Sequence, residues 1–192
     1  MNLTFRIAIV VVVQTAALLG MIGMKQWTLN TGTPIVLETQ PVDPRSLFQG
    51  DYARLNYKIN TILLDEIGGE REFKKHDRIY VLLKNGDPYW TPVSIHHEPP
   101  VTASGEVAIR GEVTGVIEKS WNPGTRQYEE GKRLQIRYGI ENYFVPEGEG
   151  RALERPGPDQ NISIRVAVDR FGGAGIKAVL VNGLPRYTER LF

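Results

Sequence analysis

Phe48-Gln49-Gly50-Asp51-Tyr52-Ala53-Arg54-Leu55-Asn56-Tyr57-Lys58-Ile59 reads as a tight turn running straight into an alternating strand. Ala53, Leu55, Tyr57 and Ile59 share one face, and Tyr52, Arg54, Asn56 and Lys58 share the other, the period of two that marks a half-buried β-strand. Gly50 can take a positive φ and Asp51 can bond a neighbouring backbone N–H, so this pair is expected to hold the turn. The strand is expected to continue to about Asn60. Its polar face is either a solvated surface or, next to Asp51, the wall of a shallow groove.

On both sides of this stretch, short β-branched and apolar runs recur. Residues 34–39, 78–84, 89–95, 106–118, 133–138, 162–168 and 176–181 read as strands. Asn85-Gly86-Asp87-Pro88 signals a hairpin, and Pro92 makes its second arm an edge or bulged strand. Gly111 and Gly115 mark bulges or bends in a long strand. Residues 61–67 have helical spacing and stop at Gly68-Gly69, which predicts a short helix or helical turn. Residues 120–131 read as a polar excursion and residues 146–154 as a short helix or lid. Pro156-Gly157-Pro158-Asp159 is a break, and Asn182-Gly183-Leu184-Pro185 ends the pattern. Most connections are too short for parallel crossovers. The expected fold is therefore mainly β, a small, bent antiparallel barrel or sandwich with one or two short helices.

Residues 7–24 carry no charge and lie between Arg6 and Lys25. At a helical rise of about 1.5 Å per residue the run covers about 27 Å, close to the hydrocarbon thickness of a bilayer. A single transmembrane helix is expected. A cleaved signal has a shorter apolar core and a small-x-small cleavage site, and Lys25-Gln26-Trp27 supplies no such site. The chain thus divides into an anchor at 1–27, a connector at 28–33 and a β-rich domain at 34–192. Arg6 and the amino terminus, set against Lys25, favour a cytoplasmic N-terminus and a domain on the periplasmic, luminal or outer side, with Trp27 at the interface. Ala8, Val12, Ala16 and Gly20 share one helical stripe, and Gln14 is a lone amide at membrane depth. They form either a face that packs on a neighbouring span or the ordinary composition of an anchor.

The net charge is +1, from 23 basic and 22 acidic residues. This balance gives no reason to expect nucleic acid as a partner. Cysteine is absent, which removes disulfides, thiol catalysis and thiolate metal sites.

Gly50-Asp51-Tyr52-x-x-Leu55-x-Tyr57 matches every named position of the motif that gives the GDYXXLXY family its name, and Tyr138-Gly139-Ile140-Glu141-Asn142-Tyr143-Phe144-Val145-Pro146-Glu147-Gly148 resembles that family's later signature. The resemblance spans about residues 34–183. It implies a bacterial membrane-anchored protein with an extracytoplasmic domain and no established activity, so it carries over no catalytic role.

Familiar chemistries fit poorly. Leu47-Phe48-Gln49-Gly50-Asp51 is similar to the Leu-x-x-Gly-Asp that follows the nucleophile of Ser/Lys signal peptidases. In their order the nucleophile position falls on Val42 and the Pro position on Arg45, so no oxygen stands there to attack. Ser46 is out of register, and nothing sets Lys84 beside it. His96 and His97, adjacent on a strand, face opposite sides, and His76 stands apart, so no metal centre is expected. Glu147-Gly148-Glu149-Gly150 has neither calcium-loop spacing nor the end of a phosphate cradle. No cofactor is expected. Tyr143 and Phe144 either offer an apolar contact patch or divide, one packing inward and the other covering the barrel mouth.

The expectation is a membrane-tethered, non-enzymatic accessory or assembly subunit that meets lipid and an integral membrane protein partner. Its contact residues would be the anchor stripe and Gly50, Asp51, Tyr52, Leu55, Tyr57, Tyr143, Phe144, Glu147 and Gly148. The alternative is a membrane-anchored hydrolase or small-ligand binder with a site near Asp51, Tyr52, Tyr143 and Glu147.

Overall fold

The uncharged run forms the body of one long helix, α1 (Leu3–Thr31), in a computed structural model that describes residues 3–40, 52–122, 127–144 and 160–189. Its large apolar side chains from Leu3 to Met24 are exposed, and by length and composition it is able to cross a membrane. The helix runs past Trp27, so residues 28–31 of the expected connector are its last turn. There the Gly32 N–H bonds the Thr28 carbonyl at 2.9 Å and the Thr31 hydroxyl donates to the Trp27 carbonyl at 2.8 Å. Those bonds satisfy carbonyls that a helix end leaves orphaned.

Thirteen strands follow among the described residues. They are β1 (Thr33–Gln40), β2 (Tyr52–Arg54), β3 (Asn56–Tyr57), β4 (Thr61–Leu63), β5 (Gly68–Gly69), β6 (Arg78–Lys84) and β7 (Thr91–His96), then β8 (Glu106–Asn122), β9 (Gln127–Arg137), β10 (Asn142–Phe144), β11 (Ile162–Val168), β12 (Ala174–Val181) and β13 (Leu184–Thr188). One sheet has five strands in the order β13-β12-β11-β1-β3, and a curled half-barrel sheet has six in the order β4-β9-β8-β6-β7-β5. β2 and β10 make a separate two-stranded ladder. Alternation drives this arrangement. Ile79, Val81 and Leu83 of β6, Ile35 and Leu37 of β1, and Ile164 and Val166 of β11 are fully buried in one continuous core between the sheets. Each such aliphatic contributes about 1.5–3 kcal/mol through burial.

The mainly β architecture is as the alternation predicts, but several local elements differ. The expected strand to Asn60 breaks at Leu55, and residues Lys58–Asn60 form a 3-10 turn. The Leu55 N–H bonds the Glu141 carbonyl at 2.7 Å, away from the ladder. Of the short helix or helical turn expected at 61–67, a single 3-10 turn forms at Leu64–Glu66, while pairing with β9 makes Thr61–Leu63 strand β4. The β6–β7 hairpin forms, but through a loop at 85–90 that contains a cis Asp87–Pro88 bond and not through a two-residue Asn-Gly turn. Pro92 does sit beside a register shift between Leu82 and Leu83. β7 is nevertheless not the edge, since β5 pairs with it in parallel, an exception to the antiparallel rule.

The polar excursion at 120–131 is largely ladder. β8 and β9 stay paired from Glu112↔Arg137 out to Asn122↔Gln127, with register shifts at Val113/Gly115 and Ile117/Lys119. Gly111 pairs without a bulge. A Cβ there would stand 2.6 Å from Ile136 Cγ2, so its bareness serves close approach. Asn182 and Gly183, both at positive φ, turn the chain into β13, a strand absent from the expectation. The expected helix or lid at 146–154 and the break at 156–159 lie outside the described residues.

The helix is joined tightly to the domain. A Cβ on Gly32 would meet the Thr28 carbonyl oxygen at 2.5 Å and the Val168 carbonyl carbon at 3.0 Å. Gly32→Ala should therefore lower stability by about 1–3 kcal/mol, as crowding in a packed site does. Gly23→Ala, where a Cβ meets nothing within 4 Å, should leave the thermal midpoint of the full chain in detergent unchanged. Equal midpoints for both variants would contradict a tight junction.

Candidate functional site

The two segments singled out by their motifs meet in the core. Leu55 and Tyr57 are 3% and 1% exposed, and Tyr143 of the later segment is 6% exposed. β2 and β10 pair with Tyr143 opposite Ala53 and Phe144 opposite Tyr52. The Tyr57 phenol donates to the Ile140 carbonyl at 2.7 Å, and the Tyr138 phenol donates to the Ile59 carbonyl at 2.8 Å. Each segment thus supplies a tyrosine to a buried carbonyl of the other. Phenols suit this role because they carry a donor at the end of a large apolar ring.

Glu141 organises the turn that presents these groups. Its carboxylate accepts from the Tyr138 N–H at 2.6 Å, the Gly139 N–H at 2.9 Å and the Asn60 amide at 3.1 Å. Asn60, itself 9% exposed, also donates to the Ile136 carbonyl at 2.8 Å and accepts from the Tyr57 N–H at 2.5 Å. Burial holds the Tyr57 and Tyr138 phenols well above their usual value of 10.0, and the nearby Glu141 carboxylate adds to the shift. They remain neutral donors at ordinary pH. Burial, helped by the charge on Glu189, raises Tyr143 as well.

The aromatic pair divides. Tyr143 packs inward, while Phe144 is 80% exposed. Arg54 and Lys58 are exposed on the polar face, and Lys58 pairs with Glu38 of β1 at 2.6 Å. Gly50, Asp51, Glu147 and Gly148 lie outside the described residues, as do Val42, Arg45 and Ser46. Tyr52 is placed only as a strand position. Ala8, Val12, Gln14, Ala16 and Gly20 all lie on the exposed body of α1.

The histidines are separate. His76 Nδ1 lies 2.9 Å from Glu112 Oε1, His96 Nε2 lies 2.8 Å from the Ser94 hydroxyl, and His97 Nε2 lies 3.0 Å from the Glu72 carbonyl. The bonds from His76 and Arg137 hold Glu112 below the usual carboxylate value. Among the described residues no three His, Asp or Glu side chains gather as a metal site.

A second polar centre, which motif reading missed, ties α1 to the β-domain. Asp169 opens the turn between β11 and β12, and its carboxylate accepts from the Phe171 and Gly173 N–H groups, both at 2.9 Å, and from the Thr28 hydroxyl at 2.5 Å. Leu29 is 5% exposed, and its side chain fills the space above Gly175, where a Cβ would stand 2.8 Å from Leu29 Cδ2. The sequence signal was an Asp just ahead of Gly172-Gly173, the pattern of a side chain that caps its own turn. For Asn60 and Glu141 the signal was weaker: a polar residue at the end of an apolar strand and an acid two residues after a glycine.

A family model described as GDYXXLXY protein matches residues 14–179. Comparison with curated proteins and with solved structures finds no match.

Tyr57→Phe leaves a buried carbonyl unpaired and should lower stability by about 1–3 kcal/mol. Glu141→Gln, which exchanges a two-oxygen acceptor for one with a single oxygen, should cost a similar amount, read in both cases by thermal unfolding of the full chain. The pH dependence has a definite sign. In the unfolded chain the phenols ionise near 10.0, whereas in the folded chain they ionise well above it. The contribution is complete below about pH 10 and is lost as pH rises through the folded values. A Tyr57→Phe/Tyr138→Phe double variant should show a shallower fall in midpoint above about pH 10 than the unsubstituted chain, and an identical fall would contradict the assignment.

Proposed function

The chain belongs to the GDYXXLXY family, and from that premise we propose that it is a membrane-tethered, non-enzymatic accessory or assembly subunit of a larger membrane complex. One observation carries this reading. α1 passes without a flexible linker into the β-domain, docked by Leu29 and by the Thr28–Asp169 bond, while its face from Leu3 to Met24 is left uncovered. A helix that served only to hold a soluble catalyst near a membrane would gain nothing from a rigid junction. A subunit that must present its domain at a fixed angle to a neighbour would.

The motif geometry supports the same reading. Leu55, Tyr57 and Tyr143 of the two motifs are engaged in internal ties: Leu55 and Tyr143 are buried, and the Tyr57 phenol is consumed by the Ile140 carbonyl. They shape the domain. Within the bilayer, Ala8, Ala16 and Gly20 allow a neighbouring helix to approach closely, and Gln14 has an amide for a bond across the interface. The domain then stands on the extracytoplasmic side, with the N-terminus in the cytoplasm, as the positive charge before the uncharged run favours over Lys25 alone after it.

On this reading the full chain, extracted in native detergent, co-migrates with an integral membrane protein, and Ala16→Leu or Gln14→Leu releases that protein without moving the thermal midpoint of the β-domain. Recovery of a lone polypeptide from the unsubstituted chain, or a complex indifferent to both substitutions, would remove the basis for the proposal.

A further inference from the structure

The last turns of α1 and the turn between β11 and β12 enclose an open groove of about 840 Å³. One wall is helical. Gly20 and Gly23 leave it bare, with nothing within 4 Å of a Cβ at either position, and Met24 and Trp27 continue it. The opposite wall is Arg110 of β8 and the Asp169–Gly175 segment, from which Phe171 projects at 59% exposure. The Arg170 guanidinium lies 4.6 Å from the centre of the Phe171 ring.

The height of the groove along α1 fixes what kind of molecule can fill it. The uncharged run ends at Met24, so Gly20 to Met24, about 6 Å of helix, lie inside the hydrocarbon edge, and Lys25 to Thr28 rise about 5 Å into the headgroup layer. A ligand occupying the whole groove therefore has an apolar lower part and a polar upper part. Trp27, 56% exposed, and Phe171 stand at that level, where amphipathic and aromatic rings settle.

Charge selects among such molecules. Lys25 and Arg110 line the groove, and Arg170 lies in the chain between the lining residues Asp169 and Phe171. The acid that lines it, Asp169, already accepts the Thr28 hydroxyl and two backbone N–H groups. The local balance is thus basic, in a chain whose overall charge is nearly balanced. Because its lower half opens into hydrocarbon, a soluble anion would leave that half empty. We propose that the groove seats an anionic phospholipid, with its phosphate between Lys25 and Arg110 and its acyl chains against the bare glycine face. This rests on the reading of α1 as a membrane span.

The test uses the full chain with Trp90→Phe and Trp121→Phe, which leaves Trp27 as the reporter. It is reconstituted in phosphatidylcholine vesicles carrying equal fractions of brominated phosphatidylglycerol or brominated phosphatidylcholine. The brominated anionic lipid should quench Trp27 more strongly than the neutral one. Lys25→Gln and Arg110→Gln, both at exposed positions, should each reduce that preference about five-fold, the effect of one basic residue at an anionic surface. Quenching by the neutral lipid should not change, which shows the chain still inserted. Equal quenching by the two lipids would overturn the proposal. So would quenching by neither while the protein floats with the vesicles, since protein would then close the groove, whether a second copy or another subunit. Failure to float at all would strike the membrane-span reading itself, and the lipid site with it.

Discussion

Two tyrosine-to-carbonyl bonds, Tyr57 to Ile140 and Tyr138 to Ile59, hold together parts of the chain about eighty residues apart. Without them, residues 52–60 and 138–144 would bring buried backbone carbonyls into the core with no partner, and each orphan costs about 1–3 kcal/mol. The exchange also explains why the central stretch is not one straight strand. To aim the Ile59 carbonyl at Tyr138 and the Leu55 N–H at Glu141, the backbone leaves the ladder twice, at Leu55 and in the 3-10 turn after Tyr57. Regular pairing is given up locally, and the hydrogen bonds are recovered from the Tyr138 side chain and from the Glu141 backbone carbonyl. Asn60 completes the exchange by serving the Tyr57 N–H and the Ile136 carbonyl at once.

This trade marks the boundary of what the amino-acid sequence discloses. Where a strand pairs along its whole length, burying one face as β1 and β6 do or both as β11 does, its apolar pattern alone locates it nearly to the residue. Pro92 and Gly115 likewise announce irregularities that the registers contain. The misreadings fall where a long-range partner overrides local pattern. Thr61 to Leu63 have helical spacing, but β9 supplies ladder partners that a free helix would not have. After Gly115 the local pattern is polar, yet β8 and β9 run on as a paired ladder out to Asn122↔Gln127. β13 hides for a similar reason, since most of its residues are exposed and only the Asn182-Gly183 turn betrays it. Of the site, the motif tyrosines are visible by themselves. Glu141 and Asp169 are not, because their significance lies in which backbone N–H groups they reach.

Of the residues that give the family its name, Leu55 and Tyr57 are thus an internal brace. Leu55 and Tyr57 make the domain fold, and their presence says little about what its surface meets. Positions that the core does not require include the uncovered face of α1, the projecting Phe171, and the groove-lining Lys25 and Arg110.

These positions are mechanically connected. The Thr28 hydroxyl grips Asp169, the Asp169 carbonyl accepts from Gly172 at 3.0 Å, and the Gly172 carbonyl accepts from the Arg110 N–H at 2.9 Å. α1 is therefore bonded through one short turn to β8 of the six-stranded sheet, and it continues covalently into β1 of the five-stranded one. At Gly32 the helix end lies close against β11, since a Cβ there would stand 2.5–3.0 Å from Thr28, Ala167 and Val168. A tilt imposed on the helix by lipid or by a neighbouring span must accordingly turn both sheets with it. That coupling makes the orientation of both sheets follow the axis of the long apolar helix.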